Sequence, residues 1–156
     1  MEASSKCSSD DRTLYGFKDE TLDGEHLDYS KYKGDVVLMV NVATFWGLTK
    51  AQYHDLNALV RKFKGPVCSL KVFGVPCNQF GYQEPGEKME IPNGLKYVRP
   101  GNGFVAMFPL LKKREINGEK EDELYTWFKV HELFFFCFFF MCMVNVYSLV
   151  QRWVLV

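Results

Sequence analysis

The sequence lacks an excess of charge of either sign, because nineteen lysine and arginine residues balance nineteen aspartate and glutamate residues. Proteins that bind nucleic acid or anionic lipid through their surface field usually carry clustered positive charge. The neutral balance therefore argues against a nucleic-acid partner. The chain of 156 residues is long enough for one ordinary domain with a sizeable hydrophobic core.

Cysteine and histidine are both scarce. The five cysteines include no Cys-x-x-Cys pair and are too few and too irregularly spaced for a small disulfide-rich scaffold, so they leave the redox compartment open. The three histidines lie far apart and share no metal-ligand spacing with the cysteines: His26, His54 and His131. We therefore expect no metal site.

The N-terminus lacks the basic start and the apolar run of a secretory signal peptide. Residues 1–13 are polar instead, with several acidic side chains. We expect them to form a flexible lead-in. Taken alone, this N-terminus does not support secretion, and a cytoplasmic location is then the expectation.

A continuous apolar run at Val36–Val42 predicts a central parallel strand that is covered on both faces. The following turn, "ATFWG", leads to Thr49, which is suited to cap a helix. Apolar residues then recur on one face across Lys50–Lys62, which predicts an amphipathic helix. The run "SLKVFGVP" predicts a second buried strand.

Strand, turn, helix and strand together form a right-handed βαβ unit, in which ligands bind beyond the carboxyl ends of the strands. Trp46 and the segment Pro76–Gly81 both fall at that end. We therefore expect the two segments to face each other. An indole is unexpected at Trp46, because this is a position where a reactive group would be useful.

The rest of the chain up to Lys129 has the pattern of a soluble α/β domain. Residues 81–108 are rich in glycine and proline, which predicts a long ordered loop with a short helix near Ile91–Tyr97. The segment "REINGEKEDELYTWFK" predicts a strand end, a turn at Asn117-Gly118 and a charged helix. That helix is expected to bury three side chains: Leu124, Trp127 and Phe128.

Four segments resemble the glutathione peroxidase family. "GDVVLMVNVATFWGLT" and "FGVPCNQFGYQEPGE" resemble its two signature segments. "LKYVRPGNGFVAMFPLLKK" and "INGEKEDELYTWFK" resemble in particular its tetrameric, extracellular plasma-type branch. The resemblance covers about Leu14 to Lys129, so residues 14–129 are expected to be a partial domain of this family. It implies an α/β, thioredoxin-like fold that is incomplete at the C-terminus, in agreement with the βαβ unit.

The resemblance implies an enzyme of antioxidant defence that reduces hydrogen peroxide and organic hydroperoxides with glutathione. The family uses selenocysteine, or cysteine in some members, at the position held here by Trp46, and needs no other cofactor. A selenol or thiol at a strand-to-helix turn has a lowered pKa because it lies near the positive end of the helix. Thioredoxin remains an alternative to glutathione as the reductant.

The resemblance also implies roles for two further residues. Gln79 matches the glutamine that hydrogen-bonds the reactive chalcogen, and Arg99 matches a basic residue that helps to hold the carboxylates of glutathione. Without the motif, Gln79 is better explained as a polar loop residue that satisfies backbone groups, and Arg99 is equally well explained as a solvated loop arginine. Cys77 is expected to be a small buried cysteine rather than the nucleophile. The loop that begins at Leu95 implies a homotetramer, as in the tetrameric branch, and extracellular location.

Trp46 is the first departure from the family pattern. Selenocysteine is encoded by UGA, which some genetic codes read as tryptophan and which differs by one base from the tryptophan codon UGG. We therefore interpret Trp46 as a record of selenocysteine. The alternatives are a genuine, inactive variant and an aromatic ring that only packs over the strand end.

The C-terminal tail, residues 130–156, is the second departure. The family would continue with a Trp-Asn pair that completes its catalytic group, then a β-hairpin and a closing helix, and none of these motifs follows Lys129. Leu133–Val150 carries no charge and approaches the length of a bilayer span. The alternative function is therefore a non-catalytic thioredoxin-like protein that is anchored in a membrane by its tail.

Composition favours a different origin for the tail. Six of the seven residues from Phe134 to Phe140 are phenylalanine, a bias typical of a translated pyrimidine-rich intron. We therefore interpret residues 130–156 as intron read-through. Such a tail would leave a sheet edge uncovered and add an aggregation-prone run, so we expect the chain as written to be poorly soluble and inactive.

Overall fold

The computed structural model describes residues 13–66, 69–131 and 154–155. The expected lead-in, residues 1–13, lies outside the described residues except for Thr13. The helices and strands, named in chain order, are β1 (Lys18–Glu20), β2 (His26–Asp28), β3 (Val36–Val42), α1 (Thr49–Lys62), β4 (Leu70–Pro76), α2 (Glu90–Tyr97), α3 (Glu123–His131) and β5 (Val154–Leu155). β1 and β2 form a separate antiparallel hairpin.

The main sheet is built on β3, which has β4 on one side and β5 on the other. β3 and β4 run parallel, and their Cα partners extend from Val36 and Leu70 to Val42 and Pro76. Nearly every residue of both strands is buried. Burial on both faces explains why the two sequences are continuously apolar, and both predicted strands are confirmed.

The two faces of β3 contribute to two hydrophobic clusters, because successive side chains of a strand point to opposite faces. Val37 and Met39 belong to the cluster that contains α3. Leu38, Val40 and Val42 belong to the cluster that contains α1 and α2. The three side chains predicted to be buried by the last helix are all buried: Leu124, Trp127 and Phe128. Helices therefore cover the sheet on both faces.

Helix α1 begins one residue earlier than predicted, and Thr49 does not cap it. Leu48 occupies the N-cap position and makes no side-chain hydrogen bond there. Thr49 is the first helical residue, and its hydroxyl donates to the carbonyl oxygen of Ala43 at 2.6 Å. The hydroxyl therefore ties the helix start to the end of β3 instead of satisfying the free N–H groups of the helix.

The segment after α2 lies along the edge of β4. The N–H of Gly74 donates to the carbonyl oxygen of Pro109 at 3.0 Å, and the N–H of Leu111 donates to that of Gly74 at 2.8 Å. A Cβ atom at Gly74 would lie 2.7 Å from Cδ2 of Leu110 and 3.0 Å from Cε2 of Phe108. This close approach requires glycine, and the segment covers an edge that would otherwise expose unpaired backbone groups.

The strand end predicted near Arg114 is wrong. Residues 112–116 belong to no strand, and a buried Arg114 guanidinium lies between Asp19 and Asp122 instead. A cation that is largely removed from solvent requires such partners. Ion pairs of Arg114 therefore hold residues 112–116 in place, instead of the hydrogen bonds of a strand. The predicted turn at Asn117-Gly118 is present, with Gly118 at a φ of 88°.

Within the described ranges, no helix is both long enough and apolar enough to cross a membrane. The candidate anchor, Leu133–Val150, lies outside the described residues, as does most of the tail. Of the tail, residues 130–131 continue α3 and residues 154–155 form β5.

Gly74→Ala is expected to lower the free energy of unfolding by about 1–3 kcal/mol, because the new methyl group overpacks the contact with Leu110 and Phe108. Denaturant unfolding followed by circular dichroism measures this change. Gly47→Ala is the matched control, since a Cβ atom at Gly47 meets no atom within 4 Å. Equal stability of the two variants would contradict the packing of residues 108–110 on β4.

Candidate active site

Two turns meet where β3 and β4 end together. Residues 43–48 follow Val42, and residues 77–80 follow Pro76, its partner in the parallel ladder. The N–H of Cys77 donates to the carbonyl oxygen of Val42 at 3.3 Å, which joins the start of the second turn to the end of β3. The two sequence segments that were expected to face each other therefore leave the sheet at the same edge.

Trp46 lies half-buried on the first turn, just before α1. Its carbonyl oxygen accepts hydrogen bonds from the N–H of Thr49 at 3.2 Å and from Nη1 of Arg99 at 3.0 Å. Trp46 also lines a cavity of about 10 Å³ together with Tyr53 and Leu56. That volume is close to the minimum that holds one water molecule.

The first turn, residues 43–48, is bonded to the buried carboxyl group of Glu84. Thr44 donates both its backbone N–H and its hydroxyl to Oε2 of Glu84, at 2.7 and 3.0 Å. Both side chains are almost fully buried. Burial raises the pKa of Glu84, and the hydrogen bonds from Thr44 partly oppose that shift.

Sequence reasoning missed Thr44 and Glu84. Neither residue has a periodic or spacing signal, since a threonine in a turn and a glutamate in a glycine-rich loop are ordinarily solvated. The one available signal was that both lie inside segments that resemble the family, "GDVVLMVNVATFWGLT" and "FGVPCNQFGYQEPGE".

Gln79 lies on the second turn, and its amide group is bonded to the loop after Arg114. Oε1 accepts from the N–H groups of Ile116 at 2.8 Å and Asn117 at 3.0 Å, and Nε2 donates to the carbonyl oxygen of Asn117 at 2.8 Å. Among the described residues, no hydrogen bond joins Gln79 to residue 46. The structure therefore brings Arg99 to position 46, while the Gln79 amide faces elsewhere.

Cys77 is only 2% exposed, and its sulfur makes one weak contact of 3.8 Å with Oε1 of Gln79. Burial raises the pKa of its thiol, which disfavours the reactive thiolate. This environment supports the interpretation of Cys77 as a core residue. In the part of the chain that the structure describes, no group of three or more histidine, cysteine or acidic side chains is placed to hold a metal ion.

The arrangement suits a small nucleophile at position 46. Such a group would lie at the positive end of α1, beside an exposed guanidinium and on a turn that buried hydrogen bonds hold in place. A family sequence model described as glutathione peroxidase matches residues 14–129. The chain belongs to the glutathione peroxidase family. Its strand-to-helix turn at residues 43–48 lies inside the range that the family matches.

Curated members of the glutathione peroxidase family match most of the chain. The epididymal secretory glutathione peroxidase of Sus scrofa is 52% identical over 118 residues, which are 75% of this chain and 52% of that protein. Glutathione peroxidase 3 of Rattus norvegicus is 51% identical over 118 residues, which are 75% of this chain and 51% of that protein. The chain thus spans about half the length of the curated relatives that it matches.

Solved structures agree on the fold. The T. cruzi protein described as GPX1 is 31% identical, with a TM-score of 0.55, over 76% of this chain and 65% of that one. The thioredoxin domain of a thiol-disulfide oxidoreductase from Bacteroides vulgatus has a TM-score of 0.50 at 11% identity, over 90% of this chain and 75% of that one. The second likeness concerns the fold alone, and it confirms the thioredoxin-like class.

Cys77 in the native chain is expected to react with iodoacetamide at neutral pH at least about tenfold more slowly than in the unfolded chain, because burial disfavours its thiolate. Mass spectrometry of the peptide that contains Cys77 measures the rate separately from the other cysteines. The same peptide from protein unfolded in guanidinium chloride is the control. Similar rates in the two states would show that Cys77 is accessible and would reopen its assignment as a core residue.

Proposed function

We propose that this chain derives from a glutathione peroxidase that reduces hydrogen peroxide and organic hydroperoxides with glutathione, through a selenocysteine at the position of Trp46. The observation that carries the proposal is the position of residue 46. It lies between the buried end of β3 and the start of α1, inside the range matched by the family. An indole there supplies no nucleophile, so the chain with tryptophan is proposed to be inactive.

The proposed reaction uses the selenolate, or a thiolate, as the nucleophile. Its attack on one peroxide oxygen forms a selenium–oxygen bond and breaks the oxygen–oxygen bond, and the leaving oxygen takes up a proton to give water or an alcohol. One glutathione thiol then displaces water from the oxidised selenium to form a selenium–sulfur bond. A second glutathione attacks the sulfur of that bond, which releases glutathione disulfide and restores the selenolate.

Arg99 is proposed to help hold a carboxylate of glutathione. Its side chain is exposed, and Nη1 is bonded to the carbonyl oxygen of Trp46, which places the guanidinium beside the reacting position. The remaining N–H groups of a guanidinium suit a carboxylate. Gln79 is proposed to donate a hydrogen bond to the chalcogen, which requires Nε2 to exchange its bond with the carbonyl oxygen of Asn117.

Assembly and location are part of the same proposal. Four large apolar side chains on α2 and the loop after it are exposed in the single chain: Tyr97, Val98, Val105 and Met107. Exposed apolar groups in this loop support the homotetramer that the resemblance implies. The relative from Sus scrofa is named as a secretory enzyme, which supports an extracellular role in antioxidant defence.

The tail, residues 130–156, is proposed to be translated intron sequence that replaces the family's own C-terminal segment. The support is its composition, with six phenylalanines within seven residues. The domain itself is then residues 14–129.

Trp46→Cys, in a chain carried to the full length of the family, is expected to gain glutathione-dependent reduction of hydrogen peroxide at least about tenfold above Trp46→Ser, because only a thiol supplies the nucleophile. A coupled assay of glutathione disulfide formation measures the rate. Gln79→Ala in the Trp46→Cys chain is expected to lower that rate by about tenfold or more, through loss of a hydrogen-bond donor to the reacting group. Turnover of the Trp46→Cys chain no higher than that of the Trp46→Ser chain would contradict the proposal.

The gene and its transcript are expected to explain both departures from the family pattern. Codon 46 should be UGA, with a selenocysteine-insertion hairpin downstream, and spliced transcripts should skip the sequence that follows codon 129. Genomic sequencing and junction reads test the two expectations separately. UGG at codon 46, together with a peptide mass that contains tryptophan, would defeat the selenocysteine assignment.

A further inference from the structure

Glu84 is a buried carboxyl group at the candidate active site that the proposed reaction does not use. It is 1% exposed, and of its two carboxyl oxygens only Oε2 has hydrogen-bond partners among the described residues, both of them on Thr44. In the described part of the chain, its Oε1 atom is buried without a partner. Burial of a polar atom without a partner is costly, and Thr44, which Glu84 binds, lies only two positions before residue 46, so the burial of this carboxyl group requires a reason.

Thr44 and Phe45 both make further contacts that restrain the turn. A Cβ atom at Gly94 of α2 would lie only 3.1 Å from Cγ2 of Thr44, so the helix backbone packs closely against this side chain. The N–H of Phe45 donates to the carbonyl oxygen of Gln83 at 2.9 Å. Two successive residues of the turn are thus bonded to residues 83 and 84, immediately before position 46.

Glu84 is itself fixed to the second turn and to the loop beyond it. Its N–H donates to Oδ1 of Asn78 at 3.0 Å. Nζ of Lys113 donates to the carbonyl oxygen of Gly86 at 3.0 Å and also pairs with Glu87, which anchors the chain just after Glu84. Glu84 therefore connects the turn that follows β3 with the turn that follows β4.

We propose that Glu84 is a positioning residue for position 46, which holds Thr44 and thereby sets the backbone of the turn that presents residue 46 at the start of α1. The inference rests on the proposed function, since it concerns the same turn and the group that reacts there. Glu84 contacts no substrate in this role. Its effect passes through the backbone between Thr44 and residue 46.

Burial favours the neutral acid form of Glu84 in this role. It raises the pKa of the carboxyl group, the bonds from Thr44 and the charge of Lys113 oppose the shift, and the charge of Glu87 adds to it. The hydroxyl of Tyr53 is the other buried side-chain atom without a partner in the described residues, and the two groups are close enough to interact electrostatically.

The experiment compares Glu84→Gln with Glu84→Leu in the full chain that carries Trp46→Cys. Both substitutions remove the ionisable group, but only glutamine keeps an oxygen that can accept from Thr44, so their difference isolates the hydrogen bonds from the charge. The rate of alkylation of the introduced thiol by iodoacetamide, followed on its peptide between about pH 5 and pH 10, gives the thiol pKa. Hydrogen exchange of residues 43–48 reports the order of the turn without reference to catalysis.

Glu84→Leu is expected to raise the pKa of the introduced thiol relative to Glu84→Gln, because a released turn no longer holds the thiol at the positive end of α1. Alkylation at neutral pH should then fall about three- to tenfold. Exchange of residues 43–48 should be faster in Glu84→Leu. Thr44→Val, which removes one of the two bonds, should give an intermediate result and serves if Glu84→Leu does not fold.

Val37→Ala is the matched control for lost stability, since Val37 is buried at the opposite end of β3 and should leave the thiol pKa unchanged. Equal thiol pKa values and equal exchange in the glutamine and leucine variants would overturn the positioning role. Failure of the Trp46→Cys chain to reduce peroxide, with the difference between the two Glu84 variants intact, would count against the proposed function and still support the positioning role.

Discussion

The parallel pairing of β3 with β4 is the constraint on which the candidate site depends. The two strands keep one register from their first residues to Val42 and Pro76, so the chain leaves the sheet twice at the same edge. Segments that are far apart in sequence then lie close enough to bond through Glu84, Gln79 and Arg99. The pairing is secured by helices on both faces, because each face of β3 contributes to its own hydrophobic cluster.

The two sides of the turn at residue 46 have different surroundings. The side of residue 46 that faces Tyr53 and Leu56 is apolar and leaves a space of about one water molecule. The backbone on the other side of the turn is bonded to a carboxyl group, a guanidinium and a threonine hydroxyl. A reactive side chain at residue 46 would be oriented by these polar contacts to the backbone of its turn.

The sequence predicted the elements whose signal is local, and it failed where distant groups decide. The apolar run Val36–Val42 predicts a strand because both of its faces are buried. The spacing of apolar residues alone predicts the amphipathic helix α1. The contacts of Thr44 with Glu84, and of Gln79 with Asn117, depend on how the loops fold over the strand ends, which no periodicity encodes. Arg114 was expected in a strand, but its pairing with two carboxylates from other parts of the chain determines its conformation. The family resemblance predicted a role for position 46, and the structure shows which groups bond to the backbone of its turn.

The contact between Thr44 and Glu84 also bears on the order in which the molecule folds. The two residues are separated by forty positions, so their bonds close a long loop that contains α1 and β4. Closure of a long loop is entropically unfavourable until other contacts bring its ends together. We therefore expect the contact between Thr44 and Glu84, and with it the final shape of the turn at residue 46, to form after β3 and β4 have paired. A nascent chain that ends before residue 84 would lack the acceptor of both Thr44 hydrogen bonds, so the turn at residue 46 depends on a part of the chain that the ribosome adds only after α1 and β4.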